Sequence, residues 1–187
     1  MTSPFGRGAD AALPPPDSPA YWDLVARAAT GFVKATREGL INREAIGIVI
    51  ALQHRYPHGT LDLATVLLTG VQERCLPEQL TDDGIPDLDL LAPNQVDAVT
   101  VLEATSKANA FFGRGAATAA DIEHTQQQVR VHGEVRAQVT AAWRTAAAAP
   151  PSSRRSAIRL ALSGLECDAR ATAATLSLAV AAALKVP

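Results

Sequence analysis

Apolar residues recur every three to four positions along most of the chain, which is the spacing of amphipathic helices. The pattern predicts six helices, over residues 19–38, 43–55, 61–75, 94–112, 121–149 and 153–185. The last two are long and are joined by a short Pro-Pro turn, so they should lie antiparallel. We therefore expect an all-α six-helix bundle that ends in a long antiparallel helical hairpin.

One predicted helix has a second interpretation. The run AIGIVIAL, within residues 43–55, is apolar on every side and fits either a central buried helix or a buried strand. Its length and the helical patterns that flank it favour the helix.

The two segments that lack helical spacing set the expected domain limits. Residues 1–18 are rich in Pro and Gly and predict a flexible tail, which leaves residues 19–187 as a single helical domain. Ser18 is a favourable N-cap for the first helix.

Residues 77–93, PEQLTDDGIPDLDLLAP, form an acidic loop rich in Pro and Gly. A connection this long is typical of a lid, a binding loop or a domain boundary, although a solvated surface loop has the same composition.

Charge and cysteine content narrow the classes of partner. The formal net charge of the 187 residues is −2, so no overall basic field favours nucleic acid or an anionic membrane, and neither partner is expected. The densest basic feature is SSRRSAIR, with Arg154, Arg155 and Arg159. The apolar ending LSLAVAAALKVP is shorter than the roughly 20 residues that span a bilayer. Two cysteines are too few for a disulfide framework, which predicts a cytoplasmic protein.

The helix predicted over residues 121–149 carries polar side chains on the side that should be buried. Apolar residues mark that side at Ile122, Val129, Val139 and Trp143. Successive residues of a helix are rotated by about 100° around its axis. This rotation places four polar residues on nearly the same side, namely Asp121, Gln128, His132 and Arg136. We call these four residues the polar ladder. The apolar stripe of the helix over residues 153–185 contains no ionisable group. Because a buried unpaired charge is costly, the hydrogen-bonding groups of the polar ladder must be satisfied by one another, by water, by a metal or by a ligand.

This ladder predicts a polar site between the helices over residues 94–112 and 121–149. His132 is the candidate acid/base, since imidazole exchanges a proton near neutral pH, and the carboxylates of Glu103 and Asp121 complete the catalytic set. Arg136 is the candidate residue for binding a carboxylate or phosphate group of the ligand, with Gln128 and His124 as further ligand-binding residues.

A metal site is not predicted, and no cofactor class is indicated. Asp121 and His124 have the spacing of a carboxylate–His pair in di-metal bundles, but such sites need a second pair that the chain lacks. His124 and His132 lie about 12 Å apart along a straight helix, too far to share one ion. A single ion held by His132, Glu103 and His54 is the remaining alternative.

Three functional hypotheses follow from the ladder. The first is a small helical-bundle enzyme or ligand-binding protein that acts on an anionic small metabolite in a polar inter-helix pocket. The second is a set of polar side chains that pair internally and contribute only to the stability and specificity of the fold. The third is a non-catalytic regulatory or scaffold protein, whose helix faces bind a partner protein or a second copy of the chain.

Overall fold

The computed structural model describes residues 14–39, 47, 50, 52–94, 102–103, 106–107, 109–110, 113 and 118–184. These residues form helices and no β-strand, so the all-α prediction is confirmed. We number the helices α1 Pro19–Glu38, α2 Gly59–Arg74, α3 Leu88–Leu91, α4 Ala119–Ala147, α5 Arg154–Leu162 and α6 Cys167–Ala183. Short 3-10 helices occupy Pro77–Gln79 and Pro151–Ser153.

Two predicted helices fall only partly within the described residues. Of the helix expected over residues 43–55, residues 47, 50 and 52–55 are described and are helical. Of the helix expected over residues 94–112, the helical residues that are described are 102–103, 106–107 and 109–110. Asn94 is described and is not helical, whereas the other residues of both predicted helices, like residues 1–13 of the expected tail, lie outside the described part of the chain.

The first helix has the termini that its sequence predicts. The Ser18 side chain accepts a hydrogen bond of 3.2 Å from the Tyr21 N–H, which satisfies one of the amides left unpaired at a helix start. At the other end Gly39 has φ +63°, a left-handed conformation that glycine adopts without steric cost.

Residues 14–18, the last part of the expected tail, contact the helical body. The Tyr56 hydroxyl donates a hydrogen bond to the Pro14 carbonyl. Asp17 Oδ1 lies 2.8 Å from Arg159 Nη1, and Asp17 has φ +64°. A non-glycine residue with positive φ is uncommon, although Asp is among the residues that tolerate it best. The segment before α1 is thus fastened at two points.

Together with α6, helix α2 forms the centre of the described bundle. It packs against α1, α5 and α6, while α4 packs against α5 and α6. Its buried apolar side chains are Leu61, Leu63, Ala64, Leu67, Leu68 and Val71. The start of α2 also approaches other backbone closely, because a Cβ on Gly59 would lie 2.6 Å from the Leu52 carbonyl oxygen.

The prediction of one continuous helix over residues 153–185 is wrong, since α5 ends at Leu162 and α6 begins at Cys167. Ser163 and Gly164 lie in the break, and both have lower helix propensity than the Ala and Leu around them. Arg170 donates hydrogen bonds to the Leu165 carbonyl at 2.7 Å and the Ser163 carbonyl at 3.3 Å. The predicted apolar stripe is nevertheless buried, at Ile158, Leu162, Ala169, Ala173, Leu176 and Val180.

The acidic segment over residues 77–93 is packed on the bundle through its apolar residues. Ile85, Leu88 and Leu91 are buried in the core. Asp87 Oδ1 caps α3 by accepting from the amides of Asp89 at 3.0 Å and Leu90 at 3.1 Å. Within the described residues, no helix combines the length and apolar character that a membrane crossing requires.

Candidate functional site

Arg136 is buried, as the position of the polar ladder predicts, but its guanidinium donates hydrogen bonds to the acidic segment over residues 77–93. Nη1 donates to the Ala92 carbonyl at 2.6 Å, and Nη2 donates to the Leu88 carbonyl at 3.3 Å. Nη2 also lies 2.5 Å from Asp89 Oδ1. The guanidinium therefore fastens α3 to α4, and most of its N–H donors are used within the protein.

His132 is half-buried and lies one helical turn before Arg136. Among the described residues its Nδ1 atom has no hydrogen-bond partner. Burial, together with the positive charge of Arg136, lowers the pKa of His132 below its ordinary value. His132 and Arg136 line a cavity of about 380 Å³ whose other walls are Ala92, Pro93, Ala171, Thr172, Thr175, Leu176 and Ala179.

The other four predicted site residues do not line that cavity. Asp121 Oδ2 accepts hydrogen bonds from the Thr118 amide at 2.7 Å and the Thr118 hydroxyl at 2.8 Å, which completes the capping box at the start of α4. Asp121 is about 16 Å from His132 along the helix axis. The side chains of the other three predicted site residues are exposed; these are Glu103, His124 and Gln128. The polar residues of the ladder are spread along a helix of 29 residues, so they are too far apart for all of them to meet at one site. Among the described residues, no three His, Cys, Asp or Glu side chains are grouped closely enough to hold a metal ion.

A larger cavity, of about 960 Å³, lies where α2 and α5 meet the start of α1. We refer to it as the α1–α2–α5 cavity. Its apolar lining is Trp22, Leu61, Pro151 and Leu160. Its polar lining is Asp17, His58, Thr69, Glu73, Ser152, Arg155, Ser156, Arg159 and Ser163.

A buried carboxylate organises one wall of this cavity. Asp62, which is 1% exposed, accepts hydrogen bonds from Arg159 Nε at 2.7 Å and Arg159 Nη2 at 3.3 Å. It also accepts one from the Tyr21 hydroxyl at 2.5 Å. Burial and the contact with Asp62 raise the pKa of Tyr21, so its hydroxyl stays a donor. Asp62 thereby holds the guanidinium of Arg159 in one orientation at the cavity wall.

The charged side chains of the cavity divide into paired and unpaired groups. Arg159 is ion-paired with Asp17 at 2.8 Å as well as with Asp62. Arg155 and Glu73 take part in no ion pair among the described residues. The Arg155 guanidinium lies 5.3 Å from the centre of the Trp22 ring, and that of Arg159 lies 5.4 Å from the same ring. This distance is typical of a cation–π contact.

Sequence reasoning missed this cavity, although a signal for it exists. Polar residues recur on α2 at Asp62, Thr65, Thr69 and Glu73, and the first three are buried. Their spacing of three or four residues places them along one side of the helix, like the ladder on α4. The other signal is the basic segment SSRRSAIR, of which Ser152, Arg155, Ser156 and Arg159 line the cavity.

The charge and shape of the α1–α2–α5 cavity are the basis for assigning a function. No family model, curated protein or solved structure matches the chain.

Proposed function

We propose that the protein binds a small organic anion in the α1–α2–α5 cavity. The observation that carries this proposal is the position of Arg155, which lines the cavity and has no carboxylate partner among the described residues. A guanidinium presents paired N–H donors that match a carboxylate or a phosphate group. Arg155 is therefore the anion-binding group of the cavity.

The remaining lining suits a ligand with a polar head and a carbon skeleton. The hydroxyls of Ser152 and Ser156 line the cavity beside Arg155 and can donate to the same anion. Trp22, Leu61 and Leu160 supply apolar surface. Ligand sites are commonly clefts of about 300–1,000 Å³, and the volume of this cavity, about 960 Å³, lies in that range.

The ligand class is the one that the sequence suggested, but the location differs. The sequence predicts that Arg136 binds the anion and that His132 is the acid/base next to it. The donors of Arg136 are largely occupied by carbonyls and by Asp89, whereas Arg155 has no ion-pair partner in the part of the chain that the structure describes. The α1–α2–α5 cavity is therefore the better candidate for the anion site.

Titration of the full chain with 3-phenylpropionate and with phenyl phosphate, followed by tryptophan fluorescence, tests the proposal. Trp22 lines the cavity, whereas Trp143 is fully buried, so a change in emission reports on Trp22. We expect saturable binding of at least one probe, weakened about tenfold or more by Arg155→Gln through loss of a charged hydrogen bond.

Arg130→Gln is the matched control, because Arg130 is exposed on α4 and does not line the cavity. Circular dichroism of both variants verifies that the fold is retained. Absence of binding to the wild-type protein, or equal affinity in Arg155→Gln, would show that the proposal is wrong.

A further inference from the structure

We infer that the ligand of the α1–α2–α5 cavity is a zwitterion, which carries an ammonium group as well as the anionic group. This inference rests on the proposed function and extends it through Glu73. The Glu73 carboxylate lines the same cavity and has no cationic partner among the described residues.

One exposed charged side chain of each sign lines the cavity without an ion-pair partner among the described residues. Arg159 is bound by Asp17 and Asp62, so its positive charge is already compensated within the protein. Arg155 and Glu73 remain, with opposite charges. A ligand that bears only an anion can pair with Arg155 but leaves the Glu73 carboxylate in the same cavity without a partner. A ligand that also bears an ammonium group satisfies both side chains.

The two unpaired groups belong to different helices. Asp62 in the first turn of α2 contacts Arg159 in the second half of α5, so the start of α2 lies beside the end of α5. The other end of α2 is fixed by Gln72, whose side-chain amide donates to the Trp143 carbonyl at 3.2 Å near the end of α4. Glu73 therefore lies on the α2 wall, and Arg155 faces the same cavity from the first turn of α5.

The apolar lining determines what can join the two charges. Trp22 and Leu61 supply carbon surface, and Leu160 is a large exposed apolar side chain on the same cavity. Such surface suits the hydrocarbon portion of a ligand. The ligand class is thus an amine-bearing carboxylate with an apolar side chain, of the amino-acid type.

Two sets of probes with matched skeletons test this inference on the full chain by isothermal titration. The aromatic set is phenylalanine, 3-phenylpropionate and 2-phenylethylamine, and the aliphatic set is leucine, 4-methylpentanoate and 3-methylbutylamine. In at least one set we expect the zwitterion to bind about fivefold more tightly than the acid that lacks the amine. The amine that lacks the acid should bind most weakly.

Glu73→Gln separates the two proposals. It should reduce the affinity of the zwitterion to that of the acid and leave the affinity of the acid unchanged or higher. Glu73 is exposed, so the substitution should leave the melting temperature near that of the wild type.

Equal binding of acid and zwitterion, or an advantage that persists in Glu73→Gln, overturns the inference while the proposed anion site stands. Tightest binding by the amine, or no binding in either set, overturns both. Glu123→Gln, on the exposed surface of α4, is the control for loss of a carboxylate elsewhere.

Discussion

Asp62 and Arg159, which are 97 residues apart in the chain, form a two-point contact between α2 and α5. The Asp62 side chain is 2% exposed and that of Arg159 is 28% exposed, so the carboxylate depends on the guanidinium for most of its charge compensation. Removing one partner of such a pair leaves a buried charge without compensation, which costs more than the pair itself contributes.

Arg159→Met should therefore lower the free energy of unfolding by about 3 kcal/mol, near the lower end for a buried pair because Arg159 is partly exposed. The double variant Asp62→Leu with Arg159→Met should recover much of that loss, because it removes both charges. Urea denaturation measures the difference. A loss no larger than that of Arg130→Met, at an exposed position on α4, would contradict this account.

Arg136 provides a test between a structural and a functional role. If it mainly holds the acidic segment, Arg136→Met should destabilise the protein by about 1–3 kcal/mol and speed amide hydrogen exchange in residues 81–92. Arg144→Met is the control, because the Arg144–Asp83 pair at 3.3 Å is exposed on both sides and should contribute less than about 1 kcal/mol. Unchanged or increased stability of Arg136→Met would instead favour a ligand-binding role.

The lowered pKa of His132 predicts a loss of stability in mild acid. As pH falls through the ordinary value of 6.5, the unfolded chain takes up a proton that the folded protein does not, so the folded state loses stability until the lowered pKa is reached. His132→Asn should flatten this decline in denaturation curves recorded between about pH 5 and 8. His124→Asn, at an exposed site on the same helix, should retain the wild-type decline. Identical pH profiles for all three proteins would contradict the prediction.

Two glycines should respond in opposite directions to alanine. A Cβ on Gly59 would lie 2.6 Å from the Leu52 carbonyl oxygen, so Gly59→Ala forces the backbone apart and should cost about 1–3 kcal/mol. Gly133 is exposed within α4 and has open space around its Cα, so Gly133→Ala should stabilise by about 0.5–1 kcal/mol. Thermal unfolding of the two variants measures both shifts. Any gain in stability from Gly59→Ala would contradict the close approach.

The helices were predictable wherever the determining signals are local. Ser18 and the Thr118–Asp121 pair specify helix starts through bonds that span three residues, and the structure contains both. The break between α5 and α6 also had a local signal at Gly164. The continuous apolar spacing from Ile158 to Val180 concealed it, because a four-residue break kept the two stripes on the same core.

The cavity was less predictable because it depends on contacts distant in sequence. A buried polar face implies that partners exist but does not identify them. For Arg136 the partners are carbonyls 44 and 48 residues away, and for Asp62 the partner is Arg159. Helical periodicity supplies the face on which a side chain lies, whereas the docking of helices determines whether the protein or a ligand satisfies it.

The contacts of Pro14 and Asp17 have a practical consequence for biosensor chemistry. They hold the residues ahead of the first helix against the helical body, and within this segment Pro16 is exposed beside Asp17, which lines the cavity. An environment-sensitive dye coupled to a thiol at position 16, with the exposed Cys167 replaced by Ser, would be attached one residue before Asp17 of the cavity lining. The leading segment thus offers an attachment position for an optical reporter that leaves the core undisturbed.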